Sequence, residues 1–298
     1  MAESLQPESA RPRKPLSART LAVRFAVGVV LIPVVLGFAY AGGLVFALFV
    51  ALLAALGAYE LTAMAARAGW HPGRILSVAG ASAVCLAFHF GAGALPGAVL
   101  TAVLVITLIE RLTSSTREHY LADVASTLLA TTYCGLLLGH FIWLRNPGPD
   151  LTWAAAGAPE AGRAAVYLAL ILTWTYDTAA YLSGSLVGRH KLIPRISPSK
   201  TVEGFAGGLA GCAVAGAVCR STFAPFLGLA EAVAIGLTLG VIAQVGDIAE
   251  SMMKRSMGAK DSSNLIPGHG GFLDRIDSLL FTGPALCLYL FYLRGFLL

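Results

Sequence analysis

Apolar stretches long enough to cross a membrane follow one another along this chain with little between them. A bilayer core of about 30 Å needs roughly 20 apolar residues as a helix. Stretches that meet this test lie near 22–41, 44–66, 74–92, 95–112, 121–143, 164–187, 204–224, 227–250 and 276–297. Gly42-Gly43, His71-Pro72-Gly73, Ala94-Leu95-Pro96 and Asn146-Pro147-Gly148 interrupt them; such residues end regular structure. In lipid every backbone N–H and C=O must find its partner inside the protein, which selects helices. The expected fold is all-α, a polytopic integral membrane protein with about nine transmembrane helices. Composition agrees. The 298 residues are 57% hydrophobic and 12% charged, whereas soluble domains carry roughly 25% charged residues.

The five cysteines, Cys85, Cys134, Cys212, Cys219 and Cys287, all lie in apolar runs without a C-x-x-C pair. They read as small packing residues, against a zinc site or a disulfide framework. Residues 1–20 are Pro-, Ser- and Arg-rich and read as a disordered basic arm. Ala39-Tyr40-Ala41 after an apolar run imitates a signal-peptide cleavage site. The long polar leader and the second apolar run favour a retained first span. Residues 21–143 then form about five helices. Residues 164–298 form a C-terminal region of about four, with aqueous loops at 188–203 and 251–275, which carries the charged motifs read below as catalytic.

Formal net charge is +5, but in a membrane protein the placement of Lys and Arg says more than their sum. With the N-terminus cytoplasmic, only Arg145, Arg163, Arg220 and Arg294 of the 21 basic residues fall on the far side. The positive-inside rule therefore selects a cytoplasmic N-terminus and a C-terminus opposite. Both charged loops then face the cytoplasm, the compartment that holds nucleotides. Nucleic acid is not an expected partner.

Charged side chains at membrane depth are costly and point to function. Asp247, Glu250, Ser251 and Lys254 follow i, i+3, i+4, i+7 spacing and share a helix face. Asp274, Asp277 and Ser278 open the last helix in the same way. If those two helices are antiparallel neighbours, the acidic faces meet, and such oxygen ligands suit Mg²⁺. Helix capping is the plainer account of Asp274 and Asp277. It does not cover Asp247, which sits near the end of its helix and calls for a metal or a basic partner. Asp177 is a further acid within an apolar run. Glu60 and Glu110 lie towards helix ends, where they reach water. His89 and His140 read as hydrogen-bonded packing residues.

Lys191, Arg195 and Lys200 in one loop, with Lys254, Arg255, Lys260 and Arg275 in the other, could surround a polyphosphate. Taken singly, each equally fits the positive-inside bias or contact with anionic lipid. Lys200 stands out because Ser197-Pro-Ser-Lys-Thr-Val-Glu-Gly204 runs into a helix N-terminus, where backbone N–H groups face an anion. Pro267-Gly-His-Gly-Gly271 permits close backbone approach to a ligand. The patterns of P-loops, dinucleotide-binding folds, zincins and serine hydrolases are absent.

These residues resemble a known signature. Ser251-x-x-Lys254-Arg255-x-x-x-x-Lys260-Asp261, Pro267-Gly-His-Gly-Gly271 and Asp274-Arg275-x-Asp277 are similar to the C-terminal motif of the phosphatidate cytidylyltransferases. Asp177, Ala180-Tyr181, Gly184, Gly188, Lys191, the 197–204 run and Gly246-Asp247-x-x-Glu250-Ser251 look like the same family. The resemblance covers about 174–278. Ser199 stands where Lys is common, and Ser183-Gly184-Ser185 is a second departure.

The resemblance implies a polytopic enzyme that joins CTP to phosphatidic acid, giving CDP-diacylglycerol and pyrophosphate. Short loops and a compact chain suggest a bacterial inner membrane. It implies a divalent metal, Mg²⁺ or Mn²⁺, on Asp247 and Asp274, with K⁺ beside it. Lys200, Lys254 and Arg275 join the two aspartates as catalytic residues. Substrate binding falls to Asp177, Lys191, Ser197, Thr201, Glu203, Ser251, Arg255, Lys260, Asp261, His269, Gly270, Gly271 and Asp277. Membrane lipids are the surrounding partners, and a homodimer is compatible. Two other classes stay open: a CTP-dependent polyprenol kinase, which would need a base near the accepting hydroxyl, and a transporter. The clustering of charge at one membrane face weighs against the transporter.

Overall fold

The computed structural model describes residues 18–91, 93–112, 119–147, 158–263 and 270–294. It is 82% helical. The elements are α1 (Ala18–Ala41), α2 (Gly43–Arg67), α3 (Arg74–Phe90), α4 (Ala94–Leu112), α5 (Tyr120–Ala130), α6 (Leu137–Arg145), α7 (Ala158–Val187), β1 (Lys191–Ile193), β2 (Ser197–Thr201), α8 (Val202–Thr222), α9 (Leu229–Ser256) and α10 (Asp277–Leu288). A π-helical turn, Thr131–Leu136, joins α5 to α6 as one rod, and a second, Tyr289–Leu293, extends α10.

Each stretch predicted from hydropathy is helical over most of its described residues. Among these residues five helices are long and apolar enough to cross a membrane: α2, α4, the α5–α6 rod, α8 and α9. Gly28–Ala41, Arg74–Phe90 and Asp277–Leu293 are apolar but shorter. The fold is thus that of a helical membrane protein, with one departure from an all-α reading. Residues 188–203 contain a two-stranded antiparallel ribbon pairing Lys191 with Thr201 and Ile193 with Ser197.

Small residues let the helices approach closely. On α8, Gly204, Gly208, Cys212 and Gly216 recur every four residues and are buried. A Cβ on Gly208 would lie 2.6 Å from the Tyr176 ring of α7. On the facing helix, Ala232, Gly236 and Gly240 repeat the spacing. A Cβ on Gly216 would meet Ala232 O at 2.3 Å, and one on Gly236 would meet Cys212 O at 2.3 Å. Where lipid removes the hydrophobic drive between helices, this close packing holds them together. α9 and α10 are also neighbours, as the shared acidic face requires. A Cβ on Gly246 would lie 2.8 Å from Asp277 O.

The five cysteines are buried thiols without disulfides. His140 Nδ1 lies 2.8 Å from Leu136 O, and its ring packs against Phe88 and Trp143. His89 stacks edge-on to Phe90, and its Nδ1 has no hydrogen-bond partner among the described residues.

Polar contacts between helix ends fall into two sets. In one, Arg67 donates to Ser262 O (2.8 Å), His71 N–H to Asp123 (2.6 Å), and Lys200 and Lys254 pair with Asp247 and Asp274. In the other, Arg145 donates to Ala39 O (2.6 Å), Arg163 lies 4.8 Å over the Tyr40 ring, Arg220 donates to Leu227 O (3.3 Å), and Arg294 pairs with Glu231 (2.7 Å). The second set contains the four basic residues that the charge count placed on the far side.

Candidate active site

Two polar loops and three helices bring the charged residues together. β2 delivers Lys200 to Asp247, a half-buried residue of α9, and the two form an ion pair. Sequence reading left a metal or a basic partner open for Asp247; this structure supplies the base. Four residues on, Ser251 Oγ reaches Asp247 Oδ1 at 3.4 Å. One turn further, Lys254 pairs with Glu250 of its own helix and with Asp274 at 2.5 Å. The predicted face of α9 is therefore real.

Asp274 arrives differently from the expectation. It does not lie on α10 but in a 3₁₀ turn, Leu273–Arg275, that precedes it. Its carboxylate accepts from Lys254 Nζ, Gly271 N–H (2.8 Å), Ser262 N–H (3.1 Å) and Ser262 Oγ (3.1 Å). Burial pushes its pKa up, but the Lys254 ammonium and the backbone N–H groups prevail and hold it below the ordinary carboxylate value. Asp277 begins α10 and accepts from the adjacent Ser278 N–H (2.7 Å); the N-cap position is Ile276, and no side chain caps this helix. It also lies in the electrostatic field of Asp247, Glu250 and Asp177. Asp177 is exposed on α7 and feels Asp247, Lys200 and Arg275.

The Gly-Gly pair now has a physical reason. Gly270 has φ +78°, the left-handed region that favours glycine. A Cβ on Gly271 would sit 1.7 Å from Ser262 Oγ and 2.7 Å from Glu60 Oε2. The backbone must pass bare beneath two side chains to donate its N–H to Asp274.

Other predicted residues are placed less centrally. Glu203 accepts from Arg189 N–H (3.0 Å), His190 N–H (3.2 Å) and the His190 ring (2.6 Å), tying the end of α7 to α8. Thr201 caps α8 through Gly204 N–H (3.1 Å). It is the N-terminus expected from sequence, but residues 197–201 form a strand in place of an irregular turn. Ser197 Oγ is 3.4 Å from Ser199 Oγ. Lys191, Lys260 and Asp261 are exposed, as is Arg255, which donates to Ala259 O (3.0 Å). His269 lies outside the described residues.

Three residues escaped the sequence reading. Glu60, assigned there to water, is completely buried and accepts hydrogen bonds from the 262–273 segment. The signal was available, since an acid within an apolar helix is a functional candidate by default. Tyr133, on the π-helical turn, has a buried hydroxyl without a partner among the described residues, in the field of Asp277, Glu250 and Asp247. Such turns recur at functional sites. Gln244 accepts from the Tyr176 hydroxyl (2.8 Å). No local pattern marked either residue.

The site gathers acids and bases at one end of a helical membrane bundle, with Lys200 paired to Asp247 and Lys254 shared by Glu250 and Asp274. The sequence profile of the cytidylyltransferase family matches residues 22–293. The chain belongs to this family. The match spans both the helices around the site and those of the N-terminal half. As a cytidylyltransferase-family protein it has curated bacterial relatives. A phosphatidate cytidylyltransferase of Staphylococcus aureus (strain COL) is 32% identical over 274 residues, 91% of this chain and 97% of that protein. Its namesake in Staphylococcus saprophyticus is 34% identical over the same shares. The one in Bacillus subtilis (strain 168) is 38% identical over 164 residues, 55% of this chain and 57% of its own length. Family membership makes the chain a nucleotidyltransferase.

Proposed function

We propose that this chain is a phosphatidate cytidylyltransferase, acting at the cytoplasmic face of a bacterial inner membrane. The observation that carries this is the likeness to relatives of that name along nearly their whole length. The lipid phosphate attacks the α-phosphorus of CTP in line. One P–O bond forms, the bond to the β-phosphate bridging oxygen breaks, and pyrophosphate leaves with its electron pair. The nucleophile is already an anion, so no general base is needed. Catalysis is positioning and charge stabilisation. Lys200, Lys254 and Arg275 stand where they would hold the triphosphate and the departing pyrophosphate.

The family implies a divalent cation, and the residues present fit one. The described side chains of the site include the acids Asp177, Asp247, Glu250, Asp274 and Asp277, against Lys200, Lys254 and Arg275. The acids outnumber the bases. Glu250 is ion-paired to Lys254, yet neither of its buried oxygens accepts an aligned hydrogen bond. Among the described residues no three His, Cys, Asp or Glu side chains are already gathered around a metal position. Mg²⁺ takes few protein carboxylates and keeps water and substrate phosphates. Asp247 and Asp274 would hold it, and bound there it supplies charge neutralisation at the reacting phosphates.

The orientation follows from the charge count, supported by the two separate sets of polar contacts. Exposed apolar side chains such as Ile75, Leu121 and Leu186 would face lipid, leaving the acyl chains in the bilayer while CTP arrives from water.

The test is purified protein with phosphatidic acid, Mg²⁺ and CTP labelled in either the α or the γ phosphate. Label from the α position enters lipid and pyrophosphate is released; label from the γ position alone would establish a lipid kinase instead. Asp247→Asn and Asp274→Asn each lower the rate about 10²–10³-fold, the scale of losing a charge-stabilising group. Wild-type rates in both would remove them from the mechanism.

A further inference from the structure

Glu60 is 0% exposed and lies on α2, about two hundred residues from the loop that carries Asp274. Its Oε2 accepts from Ser262 Oγ (2.8 Å) and Leu273 N–H (2.7 Å). Its Oε1 accepts from Ser263 Oγ (2.5 Å) and Phe272 N–H (2.8 Å). One carboxylate thus joins the two ends of the stretch that runs from Ser263 to Phe272. Four acceptor positions are all that a carboxylate offers, and here each is used. Charge-assisted bonds of this kind are the strong ones, and a buried carboxylate persists only when so satisfied.

The clasp is not remote from the chemistry. Ser262 donates its N–H to Asp274 (3.1 Å), and its hydroxyl lies within reach of both Glu60 (2.8 Å) and Asp274 (3.1 Å). Leu273, held by Glu60, is the residue before Asp274. Gly271, which donates to Asp274, passes so close that a Cβ would strike Ser262 Oγ and crowd Glu60 Oε2. A simple packing residue at position 60 would fill space but could not orient two N–H groups and two hydroxyls.

We propose that Glu60 is a positioning residue: from α2 it clasps both ends of the 262–273 segment and so sets Asp274 against Lys254. The functional part of this inference rests on the cytidylyltransferase reading above. It gives the N-terminal helices a task in the reaction, since the site would be incomplete without α2.

Glu60→Gln tests it. The amide has nearly the same shape but presents an NH₂ to donors, so two of the four contacts are lost. The expected result is a folded protein with unchanged elution in detergent and a kcat lowered about 10–100-fold. Half-activation should need roughly tenfold more Mg²⁺, and amide hydrogen exchange should quicken in residues 260–263 and 270–275 but not in α8. Ser263→Ala, which deletes one contact, gives a smaller shift in the same three readouts. The double variant Glu60→Gln/Ser262→Ala costs less than the product of the single effects, because the two residues share one contact. Wild-type kcat and Mg²⁺ midpoint in folded Glu60→Gln would overturn the proposal. So would exchange that quickens uniformly across the protein. If Glu60→Gln fails to fold, Ser263→Ala decides between the same outcomes. Hydrogen exchange needs no turnover, so an inactive wild-type protein would refute the cytidylyltransferase reading while leaving the clasp testable.

Discussion

At the scale of single residues, the site is governed by which carboxylates have partners. Asp247 and Asp274 each hold a lysine, Glu60 holds four donors, and Asp177 and Asp277 share a neighbourhood with like charge. Gly271 is the position least able to change. A methyl group there overlaps Ser262 Oγ at 1.7 Å, and the nearby Ser263 N and Glu60 Oε2, both at 2.7 Å, leave no open side. Gly271→Ala should cost about 100-fold in kcat, the loss expected when a reacting group moves by about 1 Å. Pyrophosphate release measures it, and a near-normal rate would show that the loop can yield. The acids of α9 were legible from spacing, because i, i+3, i+4 arithmetic is local. Glu60 was legible only as an acid within an apolar helix, because nothing in the sequence ties it to residues two hundred positions away.

At the scale of elements, hydropathy located the helices, closely for α2 (44–66 against Gly43–Arg67) and with one end six residues short for α7 (164–187 against Ala158–Val187) and α9 (227–250 against Leu229–Ser256). It did so because an apolar run of that length has one good backbone solution in lipid. The features it missed rest on contacts between elements. The β1–β2 ribbon is three and five residues long and sits in a polar loop, where no apolar period reports a strand. The 3₁₀ turn that carries Asp274 is set by Glu60 and Ser262, not by its own propensity. The close crossing of α8 and α9 depends on glycines whose value lies in what they do not occupy. Gly236→Val would push a side chain into Cys212 O, 2.3 Å from the Cβ position. A backbone atom cannot rotate away, so the overpacking should cost about 1–3 kcal/mol. A thermal melt in detergent reads this. An unchanged midpoint would mean that the two helices separate without penalty.

At the scale of the whole molecule, charge placement proposes an orientation that labelling can check. Ser256, just past the site on α9, is exposed; so is Ser221, at the other end of α8. The native thiols are buried, leaving a quiet background for an introduced one. In intact cells a membrane-impermeant maleimide should label Ser221→Cys and spare Ser256→Cys, and inverted vesicles should show the reverse. Labelling of both positions from one side would cancel the topology.

The pairing of each central aspartate with a lysine has an electrical consequence. Such a bundle carries the counter-ions of those two aspartates within its own chain and need not take them from the surrounding water. On the proposed reading, arriving nucleotide would meet ammonium groups already held in place by Asp247 and Asp274, so part of the cost of assembling the polar centre would have been met during folding.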